Sequence, residues 1–217
     1  MNPRIKICCI QSIAEARMAI SHGASAVGLV ARMPSGPGPV SDGLIRQIAA
    51  SVPPPVATFL LTSETSARGI IEHHRRTMTN TIQIVDELRE GSYDDIRRAL
   101  PSVRIVQVIH VIDEGSVDEA VRISFLADAL LLDSGNPRLS VKELGGTGRT
   151  HNWNLSRKIR EQSHCPVFLA GGLKPENVRE AIETVEPFGV DVCSGIRTNG
   201  ALDEHKLELF IKEALRN

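Results

Sequence analysis

The property of this chain that most constrains its fold is a rhythm. Short apolar runs recur at Ile5 to Ile10, Ala26 to Ala31, Val56 to Thr62, Thr81 to Asp86, Arg104 to Val111, Ala129 to Ser134, Val167 to Gly172 and Val190 to Gly195. Polar, helix-patterned stretches separate them, with a repeat of roughly 20 to 30 residues, the spacing of βα units that feed a buried parallel sheet. A chain of 217 residues, 41% of them hydrophobic, has material for one sizeable core and is short for two domains. The economical architecture is α/β: a single-domain (β/α)8 TIM barrel spanning residues 1–217.

Local signals agree with that alternation. Ser12 followed by Glu15 reads as a capping box, Gly23 as a helix stop, and Pro175 suits a first helical turn. Pro34 to Ser41 is too rich in Pro and Gly for regular structure, and Gly145-Gly-Thr-Gly148 is a second loop expected on the same face. A lid and an ordinary flexible connection are both open readings of these loops.

Composition excludes several classes. A formal net charge of -1 and 3% aromatic residues leave neither an electrostatic footprint nor stacking surfaces for nucleic acid. No apolar run approaches the ~20 residues of a membrane helix, and the N-terminus lacks a signal-peptide core, so a soluble, cytoplasmic protein is expected. Cysteines 8, 9, 165 and 193 form no CxxC pair and match no histidine spacing, so neither a zinc site nor a disulfide framework is expected and the thiols read as reduced. His73 and His74, in Glu-His-His-Arg-Arg, read as a solvated helix face and not a metal site. No feature sets an oligomeric state.

Two strand ends point to a ligand. Pro166-Val-Phe-Leu-Ala-Gly-Gly-Leu173 and Gly189-Val-Asp-Val-Cys-Ser-Gly195 stop on small residues where a helix should begin. Glycine lets backbone approach an anion, and free N–H groups at a helix start face it, so a phosphorylated small molecule is the expected partner. Barrels of this kind commonly bind phosphate after their last two strands.

Strand alternation sorts the remaining candidates. Lys6 and Cys8 share one face, and a lysine is ill suited to the ring of helices, so both are expected to look inward. A nearby ammonium favours the thiolate, making Cys8 a candidate base or nucleophile; a small buried hydrophobe is the alternative. Cys9 reads as packing. Asp133 ends an otherwise apolar Leu130-Leu-Leu run; burial there would raise its pKa and suit it to general acid work, while capping the next turn is the alternative. Gln83 and Asp191 are further inward polar residues, either functional or satisfied structural groups.

These pieces, Lys6-Ile-Cys8, Leu-Leu-Leu-Asp133, Gly145-Gly-Thr-Gly148, Leu169-Ala-Gly-Gly-Leu-Lys-Pro-Glu-Asn-Val178 and Val190-Asp-Val-Cys-Ser-Gly195, resemble in order and spacing the phosphoribosylanthranilate isomerase family of tryptophan biosynthesis. The likeness runs from residue 5 to the end. It implies an Amadori rearrangement of an aldosylamine to a 1-deoxyribulose 5-phosphate without metal or organic cofactor. By that resemblance Asp133 protonates the furanose oxygen and Cys8 removes the C2 proton. Gly171, Gly172, Ser194 and Gly195 would hold the phosphate, with Lys6, Gln83, Gly146 and Asp191 at substrate-binding positions.

The chain also departs from the family pattern. Cys9 stands where Gly is usual, and Ser35-Gly-Pro-Gly-Pro-Val-Ser41 lacks the Arg expected to grip the anthranilate carboxylate. Arg138 and Arg197 are candidate replacements. Gln83-Ile-Val-Asp86 replaces Gln-Leu-His-Gly, and His151-Asn-Trp153 replaces Phe-Asp-Trp. The phosphate and acid/base positions are kept while the aglycone side is rewritten. Two alternatives follow: an isomerase for another phosphorylated sugar, and a noncatalytic phosphate-ligand binding barrel.

Overall fold

The computed structural model describes residues 2–136, 139, 141–146 and 148–216. Eight strands, β1 (Arg4–Ile7), β2 (Ala26–Val30), β3 (Ala57–Thr62), β4 (Thr81–Ile84), β5 (Arg104–His110), β6 (Ala129–Asp133), β7 (Val167–Leu169) and β8 (Gly189–Val192), are all parallel. They close into a barrel in sequence order, β8 returning to β1 with Lys6 beside Asp191 and Ile7 beside Val192. Helices α1 (Ile13–Ser21), α2 (Asp42–Ser51), α3 (Ala67–Thr77), α4 (Tyr93–Ala99), α5 (Gly115–Ser124), α6 (Trp153–Gln162), α7 (Val178–Val185) and α8 (Glu204–Leu215) follow the strands in turn. No helix among the described residues is long and apolar enough to cross a membrane.

Every expected apolar run contains a strand, and most stop short of the expected end. After Leu169 the chain turns through Gly171 (φ 80°) and Gly172 (φ 62°), the left-handed region that glycine enters without a Cβ clash. After Val192 it enters a single 3-10 turn, Ser194–Ile196. The trimmed ends are the segments that surround the barrel mouth.

Serine caps start four of the helices: Ser12, Ser41, Ser66 and Ser92 each accept a backbone N–H from the first turn. Ser92 and Asp95 form a complete capping box. At Ser12 only half of the expected box exists. Glu15 N–H donates to Ser12 Oγ (3.1 Å), but the Glu15 carboxylate accepts from Gln11 N–H (2.9 Å) and Leu202 N–H (3.0 Å) and pairs with Arg197. Pro175 lies in a turn ahead of α7, where Lys174 O accepts from both Asn177 and Val178, and not in the helix itself.

The histidine pair corrects the sequence reading. His73 and His74 are buried, because Ile70, His73, His74 and Thr77 recur at helical spacing and form the inward stripe of α3. His73 bonds Thr62 Oγ1 (2.8 Å) and Asp42 Oδ1 (3.2 Å), and His74 Nε2 donates to Thr79 O (2.6 Å). Glu72, Arg75 and Arg76 carry the solvated face instead.

Candidate active site at the barrel mouth

The floor of the site is a buried ion pair. Lys6 and Asp191 are register partners on β1 and β8, so alternation turns both side chains inward, and Lys6 Nζ lies 2.9 Å from Asp191 Oδ2. Lys6 is fully buried, with Phe59's ring 5.2 Å from its ammonium. Burial works against its charge, but the Asp191 carboxylate and the Cys8 sulfur outweigh it and hold the Lys6 pKa above its ordinary value. Burial pushes the Asp191 carboxyl up while Lys6 pulls it down.

Above this pair Cys8 follows β1 and lines the cavity as expected, its N–H held by Val192 O (2.8 Å). Its ionisation differs from the sequence reading. Burial pushes the thiol up to about 11, because desolvation of a thiolate outweighs the pull of the Lys6 ammonium. The unliganded site therefore holds a thiol at neutral pH.

Asp133 closes β6 on the other side of the same cavity. Burial raises its carboxyl, partly opposed by the Ser134 N–H that donates to Oδ1 (2.7 Å) and by His110, its register partner on β5. Both sequence readings of Asp133 thus coexist: it caps its own turn through one oxygen and faces the cavity with a raised pKa. A Cβ on Gly145 would stand 2.6 Å from Asp133 Oδ2, so only glycine lets the loop after β6 pass this close.

The phosphate candidates form a third wall. Gly171, Gly172 and Ser194 line the cavity; Gly195 lies just behind it, where any side chain would meet Leu173 O at 2.0 Å. His151 stands next to Gly171, its Nε2 2.7 Å from Ser156 Oγ, and burial lowers its pKa to about 4, so it adds no positive charge. Gln83 and Asp191 line the cavity, each with one buried oxygen that has no hydrogen-bond partner among the described residues. Gly146 lines it beside Pro37, so the loops after β2 and β6 meet over the mouth. Lys6, expected at a substrate-binding position, lies beneath the lining, in contact with Asp191 and electrostatically coupled to Cys8.

Met33, Pro37, Leu61, Val85 and Leu144 give the remaining wall an apolar surface. Arg197 does not serve this wall. Its side chain is buried, and both terminal nitrogens are engaged, with Glu15 Oε2 (2.9 Å), Gly200 O (2.7 Å) and Cys9 O; Nε, without a partner among the described residues, is enclosed and does not line the cavity. Arg138 lies outside the described residues. Asp86 is bound by Lys142, which holds its carboxyl below the ordinary range against the opposing effect of burial.

The cysteines correct the expectation of reduced thiols. Cys9 and Cys193 form a disulfide, with Cα atoms 5.8 Å apart, while Cys8 and Cys165 are free. The pair is separated by 184 residues, and no local spacing could announce it. Barrel closure brings it together, since β1 and β8 end side by side. Gly28 is a second residue missed. A Cβ there would lie 2.8 Å from Cys8 Sγ and 3.1 Å from Lys6 Nζ, so the space for both groups depends on a bare backbone in β2. An isolated glycine inside a strand was the available signal.

Among the described residues no group of three or more His, Cys, Asp or Glu side chains is arranged to hold a metal ion.

Residues 5–213 match the family described as N-(5'phosphoribosyl)anthranilate (PRA) isomerase. The chain belongs to this isomerase family. It is 35% identical to N-(5'-phosphoribosyl)anthranilate isomerase 2 of Methanosarcina mazei, over 97% of this chain and 93% of that protein. It is 34% identical to the isomerase of Methanothrix thermoacetophila, over 96% of each. The phosphoribosyl anthranilate isomerase of Thermotoga maritima superposes with a TM-score of 0.80 at 29% identity, covering 98% of both chains. A phosphoribosyl anthranilate isomerase crystallised with reduced 1-(o-carboxyphenylamino)-1-deoxyribulose 5-phosphate gives a TM-score of 0.77 at 27% identity and the same coverage. The (β/α)8 barrel is thus shared with family members along the whole chain, including one that holds a phosphorylated ligand.

In this member of the N-(5'-phosphoribosyl)anthranilate isomerase family, the backbone at position 9 has the conformation of the glycine that the resemblance led one to expect there. Cys9 has φ 61°, a left-handed backbone suited to glycine, and here it is held there by the bond to Cys193 and by Arg197 on its carbonyl.

Proposed function

We propose that this chain isomerises N-(5'-phosphoribosyl)anthranilate, with Asp133 as general acid and Cys8 as general base. The observation that carries the reading is that these two groups line one cavity whose third wall is the glycine-rich backbone of Gly171, Gly172 and Ser194. A substrate anchored there by its 5-phosphate presents its sugar to both.

The pKa directions suit the order of events. Asp133, whose carboxyl burial shifts toward the protonated form, donates to the furanose oxygen and opens the ring. Ring opening leaves a cationic Schiff base beside Cys8. Ionising a thiol of pKa about 11 at pH 7 costs roughly 5 kcal/mol. The new cation, added to Lys6 below, offsets that cost: the Cys8 thiol releases its proton to solvent, and the thiolate so formed takes the C2 proton. The resulting enolamine tautomerises to the ketone. Asp191 holds Lys6 in place, and Gln83 offers its free carbonyl oxygen to a sugar hydroxyl.

The test is the loss of substrate fluorescence on wild type, Cys8→Ala and Asp133→Asn. Turnover well above background that collapses in both variants supports the assignment; wild type at background overturns it. The apolar wall of Met33, Leu61 and Val85, together with the engaged Arg197, favours a second reading, isomerisation of a phosphosugar with an uncharged aglycone. It predicts that ribose 5-phosphate raises the melting temperature while the anthranilate compound is not turned over.

A further inference from the structure

The Cys9–Cys193 bond joins the two segments that must be held relative to one another during turnover. Cys9 directly follows the proposed base, and Cys193 directly precedes Ser194 at the phosphate wall. The bond also reaches the covering loops. A Cβ on Gly38 would stand 2.7 Å from Cys9 Cβ, so the loop after β2 is seated directly on this cysteine. Pro37 of that loop meets Gly146, and Gly145 meets the Asp133 carboxylate. A continuous run of contacts thus leads from the sulfur pair to both the base and the acid.

We propose that Cys9 and Cys193 are positioning residues whose bond sets the distance between base and phosphate, so that turnover depends on the redox state of this pair. The inference rests on the isomerase reading of the site and adds its regulation. In the reduction step a dithiol attacks one sulfur, the Cys9–Cys193 bond breaks, and a mixed disulfide forms. The second thiol of the reductant resolves it, leaving two protein thiols and the oxidised reductant, with two electrons transferred. Once reduced, Cys9 loses the covalent restraint on its left-handed backbone and keeps Arg197 on its carbonyl, the Gly38 contact and the approach of its Sγ to Pro37 O (3.7 Å). The segment bearing Cys8 loosens relative to Ser194. Cys8 stays out of the exchange because burial keeps it a thiol, and the thiolate is the attacking species.

The experiment compares enzyme prepared without reductant and the same enzyme treated with dithiothreitol, in wild type and in Cys9→Gly/Cys193→Ser. Glycine is chosen because it tolerates the left-handed backbone at position 9. Alkylation and intact mass of the untreated wild type, under denaturing conditions, should count two free thiols, Cys8 and Cys165, and reduction should expose the other two. Reduction should lower kcat about tenfold with a smaller change in KM, the mark of lost positioning, and reoxidation by a small disulfide should restore it. The double variant should sit at the reduced level and ignore dithiothreitol. Four free thiols in the untreated enzyme overturn the proposal. So do equal kcat values in both states, or a response to reductant that persists in the double variant. If the untreated enzyme does not turn over the anthranilate substrate, the isomerase reading fails separately. The tether is then judged by the thermal shift from ribose 5-phosphate, which must shrink on reduction in wild type alone; an equal shift in both states overturns it.

Discussion

Along each strand, side chains pointing outward meet helices, and those pointing inward meet one another. On β1 and the residue after it this sets Ile5 and Ile7 against Lys6 and Cys8; on β4, Ile82 and Ile84 against Gln83; on β6, Leu130 and Leu132 against Asp133. The outer layer is a continuous apolar cluster in which each side chain needs only burial and fit. The inner face is apolar in part, with Phe59, Leu131 and Phe168, but admits charge where a partner answers it, as Lys6 is answered by Asp191. The contrast teaches that stability and chemistry are divided by the parity of one residue along the same strand.

That division can be broken or sharpened by substitution. The largest effect is expected on the inner face: Cys8→Ala and Asp133→Asn should each lower kcat by roughly 10³-fold in steady-state kinetics, with little change in the urea midpoint for Cys8→Ala. Removing half of the buried pair crosses the division, because Lys6→Met leaves the Asp191 carboxylate unanswered. It should cost about 3–5 kcal/mol by urea unfolding and reduce activity as well, and adding Asp191→Leu should restore stability but not activity. An outer-layer change should do the reverse. Leu60→Ala, at a fully buried site, should cost about 2–5 kcal/mol while leaving kcat per folded molecule unchanged. Smallest is the loss of a helix cap: Ser66→Ala removes the acceptor for Gly69 N–H and should cost about 1 kcal/mol with no kinetic effect.

Acidity sharpens the comparison further. Asp133 binds its proton more tightly folded than unfolded. Its contribution to stability is therefore fully present below the ordinary carboxylate pKa of 3.8 and is lost as pH rises through the raised value. Urea midpoints measured upward from pH about 4 should fall for wild type relative to Asp133→Asn. The same ionisation should give kcat/KM a declining alkaline limb, and a rate that rises with Asp133 ionisation would contradict its role as an acid.

The sequence by itself determined the barrel, because burial of a parallel sheet on both faces demands apolar runs at a regular spacing, and that pattern is local. Strand parity likewise made Lys6, Cys8, Gln83, Asp133 and Asp191 legible as inward groups, and strands ending in glycine marked the backbone wall proposed to hold a phosphate. Helical spacing carried the burial of His73 and His74 as well, in a stripe with Ile70 and Thr77 that outweighs their polar character. What only the tertiary structure decided depends on residues distant in the chain. Cys9 meets Cys193, and Arg197 meets Glu15 and the Cys9 carbonyl, because closure of the barrel sets β8 beside β1. Gly28 leaves room for Cys8 and Lys6 on the neighbouring strand. The ionisation of Cys8 belongs to the same class: its adjacent lysine is visible in the sequence, but the desolvation that prevails over it arises only when the surrounding strands close.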